Sequence, residues 1–156
     1  MEDYPKQKLD KEWITSGITS DIITWTESFG KYLCAFGENK PPKKALTTGQ
    51  LRKFFGEVKR IDANVIRHKS DIPMLKPLLA YAVGRDKNKN NVNKSRIDDF
   101  EKELRTAIEA IRINNGDDIL KSDFKNFVQL FESIVAYHKY YGGQENNKYN
   151  QIQWKN

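Results

Sequence analysis

The stretch Leu46–His68, LTTGQLRKFFGEVKRIDANVIRH, decides the fold class of this chain. At about 100° per residue, Leu51, Phe54, Phe55, Val58, Ile61, Val65 and Ile66 fall in one apolar arc, the pattern of a helix with one face in a core. Its start is chemically marked. Thr47 can cap the first turn while Gln50 reaches back to the cap amide, and Leu46 can staple onto Leu51. Opposite the apolar arc lie Lys53, Arg60 and Arg67, each seven residues from the next. Gly49 and Gly56 share that side, and Arg52 and Lys59 flank it. A solvated helix face ordinarily mixes signs, with Glu placed to pair Lys four residues on. This stripe has no acid at its centre. The expectation is one helix from Thr47 to Arg67 whose outer face suits a polyanion.

The flanking segments repeat the helical period. From about Thr19 to Phe36, residues Ile22, Trp25, Phe29, Tyr32, Leu33 and Phe36 share a face, and Gly37 with Pro41 and Pro42 ends it. The lysines Lys43 and Lys44 stand just before the basic helix. Beyond that helix, Pro73 fits the first turn of a new one, and Pro77 marks a second start or a kink. LLAYAVG at 78–84 is apolar on nearly all sides and is expected to be buried, bringing Arg85 to the surface. A polar, asparagine-rich loop with Lys87, Lys89 and Lys94 follows. Helices are then expected from about Ser95 to Asn114, stopped by Asn115 and Gly116, and from Asp118 to Tyr141, stopped by Gly142 and Gly143. No segment alternates with a period of two. The fold class is all-α, a compact five-helix bundle. Residues 1–12 are expected to be a flexible N-terminal tail, 13–143 a single helical domain, and 144–156 a C-terminal tail in which Trp154 is the odd residue.

At 156 residues with 38% apolar content and a mean hydropathy of -0.77, one domain with a thin, aromatic-rich core is expected. The single cysteine, Cys34, excludes an internal disulfide and any Cys-rich zinc site. No apolar run could cross a bilayer, and a cytoplasmic setting is expected. The net charge of +6 is unevenly spread. Residues 1–46 carry seven basic and seven acidic side chains, residues 47–96 twelve and four, residues 97–135 five and nine, and the remainder three and one. One contiguous third of the chain is strongly basic, which points to a localised anion-binding surface.

Candidates for catalysis are few. His138 lies on the apolar face of the last helix, the place of a packed histidine. His68 is eight residues from Arg60, whereas one widespread type of helical ribonuclease places histidine four to six residues after its arginine. The acid pairs Asp98 with Asp99 and Asp117 with Asp118 sit at helix starts, where the dipole favours acids. Cys34 is read as a small packing residue. Phe54 and Phe55 point to the core, whereas Tyr140 lies on the outer side beside Lys139 and is the better candidate for stacking on a base. No motif assembles an enzyme site, and no metal or cofactor is implied.

Three stretches, LTTGQLRKFF at 46–55, LKPLLAYAVGR at 75–85 and FVQLFESIVAYHKYYGG at 127–143, resemble the small subunit of type III-A CRISPR effector complexes, the Csm family. The resemblance implies a small helical protein without catalytic activity of its own, stacked in several copies along the effector. There it lines the channel holding crRNA and target RNA, while a neighbouring backbone subunit cleaves the target. Residue by residue, the motifs nominate Gln50, Arg52 and Lys53, then Lys76 and Arg85, then Lys139; Arg60 and Arg67 rest on the helical projection alone. The partners implied are crRNA, target RNA and other effector subunits, including copies of the same chain, with no membrane and no small-molecule substrate. Two other readings compete: a helical DNA-binding regulator and a small ribonuclease.

Overall fold

The capping box at the start of the basic helix is present. The Gln50 N–H donates to Thr47 Oγ1 at 3.3 Å, and the Thr47 N–H donates to Gln50 Oε1 at 2.9 Å. Two donors near the start of the helix are thereby satisfied. The computed structural model describes residues 4–34, 46–87 and 96–142. Among these residues the chain is all-α and has no strand. Its helices are α1 (Glu12–Ser16), α2 (Ser20–Cys34), α3 (Thr48–Ala63), α4 (Leu75–Lys87), α5 (Ile97–Ala110) and α6 (Asp117–Tyr140), with a 3₁₀ helix, Lys69–Met74, between α3 and α4. The five expected helices are α2 to α6; α1 and the 3₁₀ helix are additions. Lys43 and Lys44, Lys89 and Lys94, and the 144–156 tail with Trp154 lie outside the described residues.

The first and last long helices make the most extensive pairing. Gly30 permits it. A Cβ added there would lie 2.8 Å from the His138 amide nitrogen and 2.9 Å from the Ile134 carbonyl oxygen, so the two backbones meet with no side chain between them. The helices run parallel. Ile23 lines a surface hollow with Glu132 and Ala136, Gly30 meets Ile134 to His138, and Cys34 reaches Tyr141. By contrast α4 and α5 are antiparallel, because Lys76 at the start of one pairs with Glu109 at the end of the other at 3.1 Å. Between these layers Phe29, Phe100, Phe124, Phe127 and Phe131 are fully buried. The Phe131 ring touches those of Phe54, Phe55, Phe100 and Phe127, so α3, α5 and α6 meet on it.

Several expectations are corrected. Residues 4–11, read as part of a tail, run back across α2 and α5. Leu9 is buried, its N–H donates to Glu103 Oε1 at 2.8 Å, and the Tyr4 hydroxyl donates to Glu103 Oε2 at 2.5 Å. The Trp25 indole N–H donates to the Gln7 carbonyl at 2.8 Å. A charged stretch with a single leucine has no period to betray it, but Leu9 covers the core edge and the backbone follows. The basic helix stops at Ala63, four residues early, with Asn64 leaving the helical conformation at φ -158° and ψ 83°, so Arg67 is not on it. The small-residue stretch of α4 is not buried all round. Only Leu79 and Val83 of it are buried, while Ala80, Tyr81 and Gly84 face outward. Pro77 occupies the third position of α4, within its first turn, so the helix begins two residues before the proline rather than at it. Helix α5 ends at Ala110, and Gly116, with φ of 108°, is the cap before α6 rather than the stop after α5.

Candidate nucleic-acid interface

The nominated cations separate into two groups once their partners are known. Arg60 is held by two acids. Its Nε and Nη2 donate to the two Glu57 oxygens at 2.8 Å each, and Nη2 also reaches Asp71 Oδ2 at 2.8 Å. The hydrogen bond from Arg60 holds the Glu57 carboxyl below its ordinary range, and the acids raise the guanidinium further. The stripe therefore does have an acid at its centre, on the same helix three residues before Arg60. Lys76 is likewise paired, with Glu109, whose carboxyl it holds down. Lys59, beside the stripe, ties α3 to α6 through Glu132 at 2.9 Å.

Lys53, Arg67, Arg85 and Lys139 are exposed and have no acid partner among the described residues. Lys53 stands on the second turn of α3, with Arg52 exposed beside it. Arg67 lies in the turn after α3, Arg85 near the end of α4, and Lys139 on the last turn of α6. Gln50 has a structural duty, since its side chain closes the capping box. Of the eight nominated residues, the structure thus leaves four cations with their charge open to solvent.

The ends of α2 and α6 converge on the start of α3. His138 is buried, and its Nε2–H donates to the Leu46 carbonyl at 2.6 Å, while the Leu46 N–H donates to the Leu33 carbonyl at 2.7 Å. Leu46 immediately precedes the Thr47 cap, so the last turn of α6 and the first turns of α3 share one end of the bundle. Burial keeps the His138 imidazole below its ordinary range, and its Nδ1 is buried without a partner. At the same end Tyr137, Tyr140 and Tyr141 form an aromatic cluster. Tyr141 stacks on Tyr137 and meets Tyr140 edge to face at 4.9 Å, and its hydroxyl donates to Glu27. The Lys31 ammonium lies 5.1 Å from the Tyr141 ring centroid.

Distant in sequence but close in space, Arg60 Nη1 lies 3.2 Å from His68 Nδ1. The chain spacing did not suggest that contact, because the helix ends between the two residues. Sequence reasoning also missed three buried acids. Asp123 is fully buried and accepts from the Arg112 amide, Nε and Nη2, each at 2.9 Å. Asp99 accepts the Tyr32 hydroxyl at 2.6 Å, as Glu103 accepts that of Tyr4. Arg96, also buried, lies over the Tyr32 ring at 4.1 Å. Burial, with the carboxylate partners, pushes both tyrosine hydroxyls well above their ordinary range. Asp99, Arg96 and Glu103 join α5 and its start to α2 and the N-terminal segment, Asp123 joins α6 to the turn after α5, and none is nominated for binding.

Among the described residues no three His, Cys, Asp or Glu side chains gather as a metal site requires, and no helix is long and apolar enough to cross a membrane. The family model described as Csm2 Type III-A matches residues 21–144, which runs from the start of α2 past the end of α6. No curated protein and no solved structure gives a match.

Proposed function

The chain belongs to the Csm2 Type III-A family, small subunits of type III-A CRISPR effector complexes, and on that premise we propose that it binds RNA as a non-catalytic structural component. It contacts the sugar-phosphate backbone of crRNA or target RNA without reading sequence, and base pairing between the two strands supplies specificity. The observation that carries this reading is the set of four exposed cations, Lys53, Arg67, Arg85 and Lys139, whose charge no acid among the described residues neutralises. A cation already bridged to carboxylates must break those bonds to reach a phosphate; an unbridged one only exchanges water. Copies of the chain stack along the effector, a reading supported by its membership of the family.

The contact between Arg60 and His68 favours a second reading, a small ribonuclease, because it unites two groups that can act on a phosphodiester. The binding reading is preferred, since Glu57 and Asp71 already occupy the Arg60 guanidinium and leave it no open fork for a phosphate. Loss of RNA cleavage by the pure protein on His68→Ala substitution would support the nuclease instead.

The experiment is salt-dependent binding of single-stranded RNA. Each phosphate contact on a single strand contributes about 0.7 to the slope of log affinity against log salt. Replacing Lys53, Arg85 and Lys139 together by alanine is expected to reduce the slope by about 2, whereas replacing Arg60 and Lys76 is expected to leave it nearly unchanged. The opposite ordering refutes the assignment of the interface.

A further inference from the structure

We propose that the tyrosines at the C-terminal end of α6 form a stacking platform for one unpaired nucleobase of a single-stranded RNA, with Tyr140 as the ring on which the base lies. The inference rests on the RNA-binding reading and adds the chemical moiety that this end of the bundle takes. Tyr140 is 77% exposed, an unusual state for so large an apolar surface, yet its ring is not loose. It meets Tyr141 edge to face at 4.9 Å with an interplanar angle of 84°. Tyr141 is itself fixed from three sides: its hydroxyl donates to Glu27, its ring stacks on Tyr137, and its carbonyl accepts from Cys34 Sγ at 3.4 Å. An aromatic face held in advance loses little freedom when a base stacks on it, which is the condition for sequence-tolerant binding.

The surrounding charge selects the ligand. Lys139 precedes Tyr140 and is exposed without an acid partner among the described residues. The hydrogen bond from His138 to Leu46 joins this turn to the start of α3, where Arg52 and Lys53 are exposed. Cations beside an exposed aromatic ring match a strand whose bases are apolar-faced and whose backbone is anionic. An uncharged protein surface would make no use of the cations. Every nucleobase presents a π-face, so the platform does not choose among bases, consistent with a subunit that accommodates any guide.

The test uses the full-length chain and two probes of equal length, oligouridylate and the same ribose-phosphate chain without bases, at one salt concentration. Tyr140→Ala is expected to weaken oligouridylate binding about tenfold, near the lower end of the contribution of one base-aromatic stack. It is expected to leave the abasic chain unaffected, and Tyr140→Trp to restore affinity. Lys139→Ala is expected to weaken both probes alike. Equal losses on the two probes with Tyr140→Ala, or no loss on either, overturn the platform. If Tyr140→Ala leaves RNA affinity intact and changes self-association in sedimentation, the cluster is a protein contact and the proposal also falls. Failure of the unmodified chain to bind either probe refutes the RNA-binding reading and the platform with it; binding that responds to Lys53 but not to Tyr140 refutes the platform alone.

Discussion

The same substitution is expected to have opposite effects at two helical glycines, and the contrast tests the packing of α2 on α6. At Gly30 an alanine Cβ would stand 2.8 Å from the His138 nitrogen, 2.9 Å from the Ile134 oxygen and 2.9 Å from Tyr137 Cβ. Two of the three obstacles are backbone atoms of a helix, which cannot rotate away, so α2 and α6 must separate. Overpacking of a well-filled interface costs about 1–3 kcal/mol, and rigid neighbours place this case near 3. Alanine recovers about 1 kcal/mol of helix propensity, leaving a net loss of about 2 kcal/mol. At Gly56 on α3 nothing lies within 4 Å of the added Cβ, and only the propensity gain of about 0.5–1 kcal/mol remains. For a chain of this length the loss lowers Tm by about 4–8 °C and the gain raises it by about 1–4 °C. Thermal and urea denaturation followed by far-UV circular dichroism measures both. A Gly30→Ala protein as stable as Gly56→Ala would refute the close approach of the two helices.

Further measurements address other parts of the fold. Leu9→Ala should destabilise by about 2 kcal/mol or more in urea titrations, as for a buried leucine; a change near zero would return residues 4–11 to the status of a tail. In a double-mutant cycle, Tyr4→Phe and Glu103→Gln should show a coupling of about 0.5–3 kcal/mol, because the first removes the hydroxyl that Glu103 accepts and the second replaces the charged acceptor by a neutral amide. Burial lowers the folded-state pKa of His138, so below the ordinary imidazole value of about 6.5 the unfolded chain binds the proton that the folded chain refuses. Stability should therefore fall as pH drops below about 6.5, and His138→Gln, which can still donate to Leu46, should remove that part of the slope. Lys53→Ala alone should reduce the RNA salt slope by about 0.7 while Arg60→Ala leaves it nearly constant.

What the sequence disclosed follows the range of the interactions involved. The start of α3 was legible because its signal is local: Thr47 and Gln50 meet three residues apart. The core face of α6 was legible because Phe124, Phe127, Phe131 and Ile134 repeat with the helical period. Its end was less so for α3, where Val65 and Ile66 continue the apolar pattern past Ala63 and no glycine or proline interrupts it. A helical projection carried past Ala63 lines Arg67 up with Lys53 and Arg60, whereas the chain has already left the helix there. Asp71, eleven residues from Arg60, is brought back to it by the turn that the shorter helix makes possible. Buried acids were invisible for a related reason. Asp123, Asp99 and Glu103 look like solvated residues until Arg112, Tyr32 and Tyr4 are seen to reach them from other segments. In α4 the small residues suggested burial, yet small side chains equally suit a helix with one face left open.

The pairing of α2 with α6 also sets an order of events during synthesis. Cys34 and Tyr141, which touch in the folded chain, are 107 residues apart. At the usual rate of translation, α2 waits about 5–20 s for the partner that covers it. During that interval Trp25 and Phe29 have no completed core, whereas α4 and α5 can already form their short-range hairpin. A nascent chain halted before α6 is therefore expected to expose the aromatic face of α2 and to depend on chaperones, and release of the last helix becomes the committing step of folding.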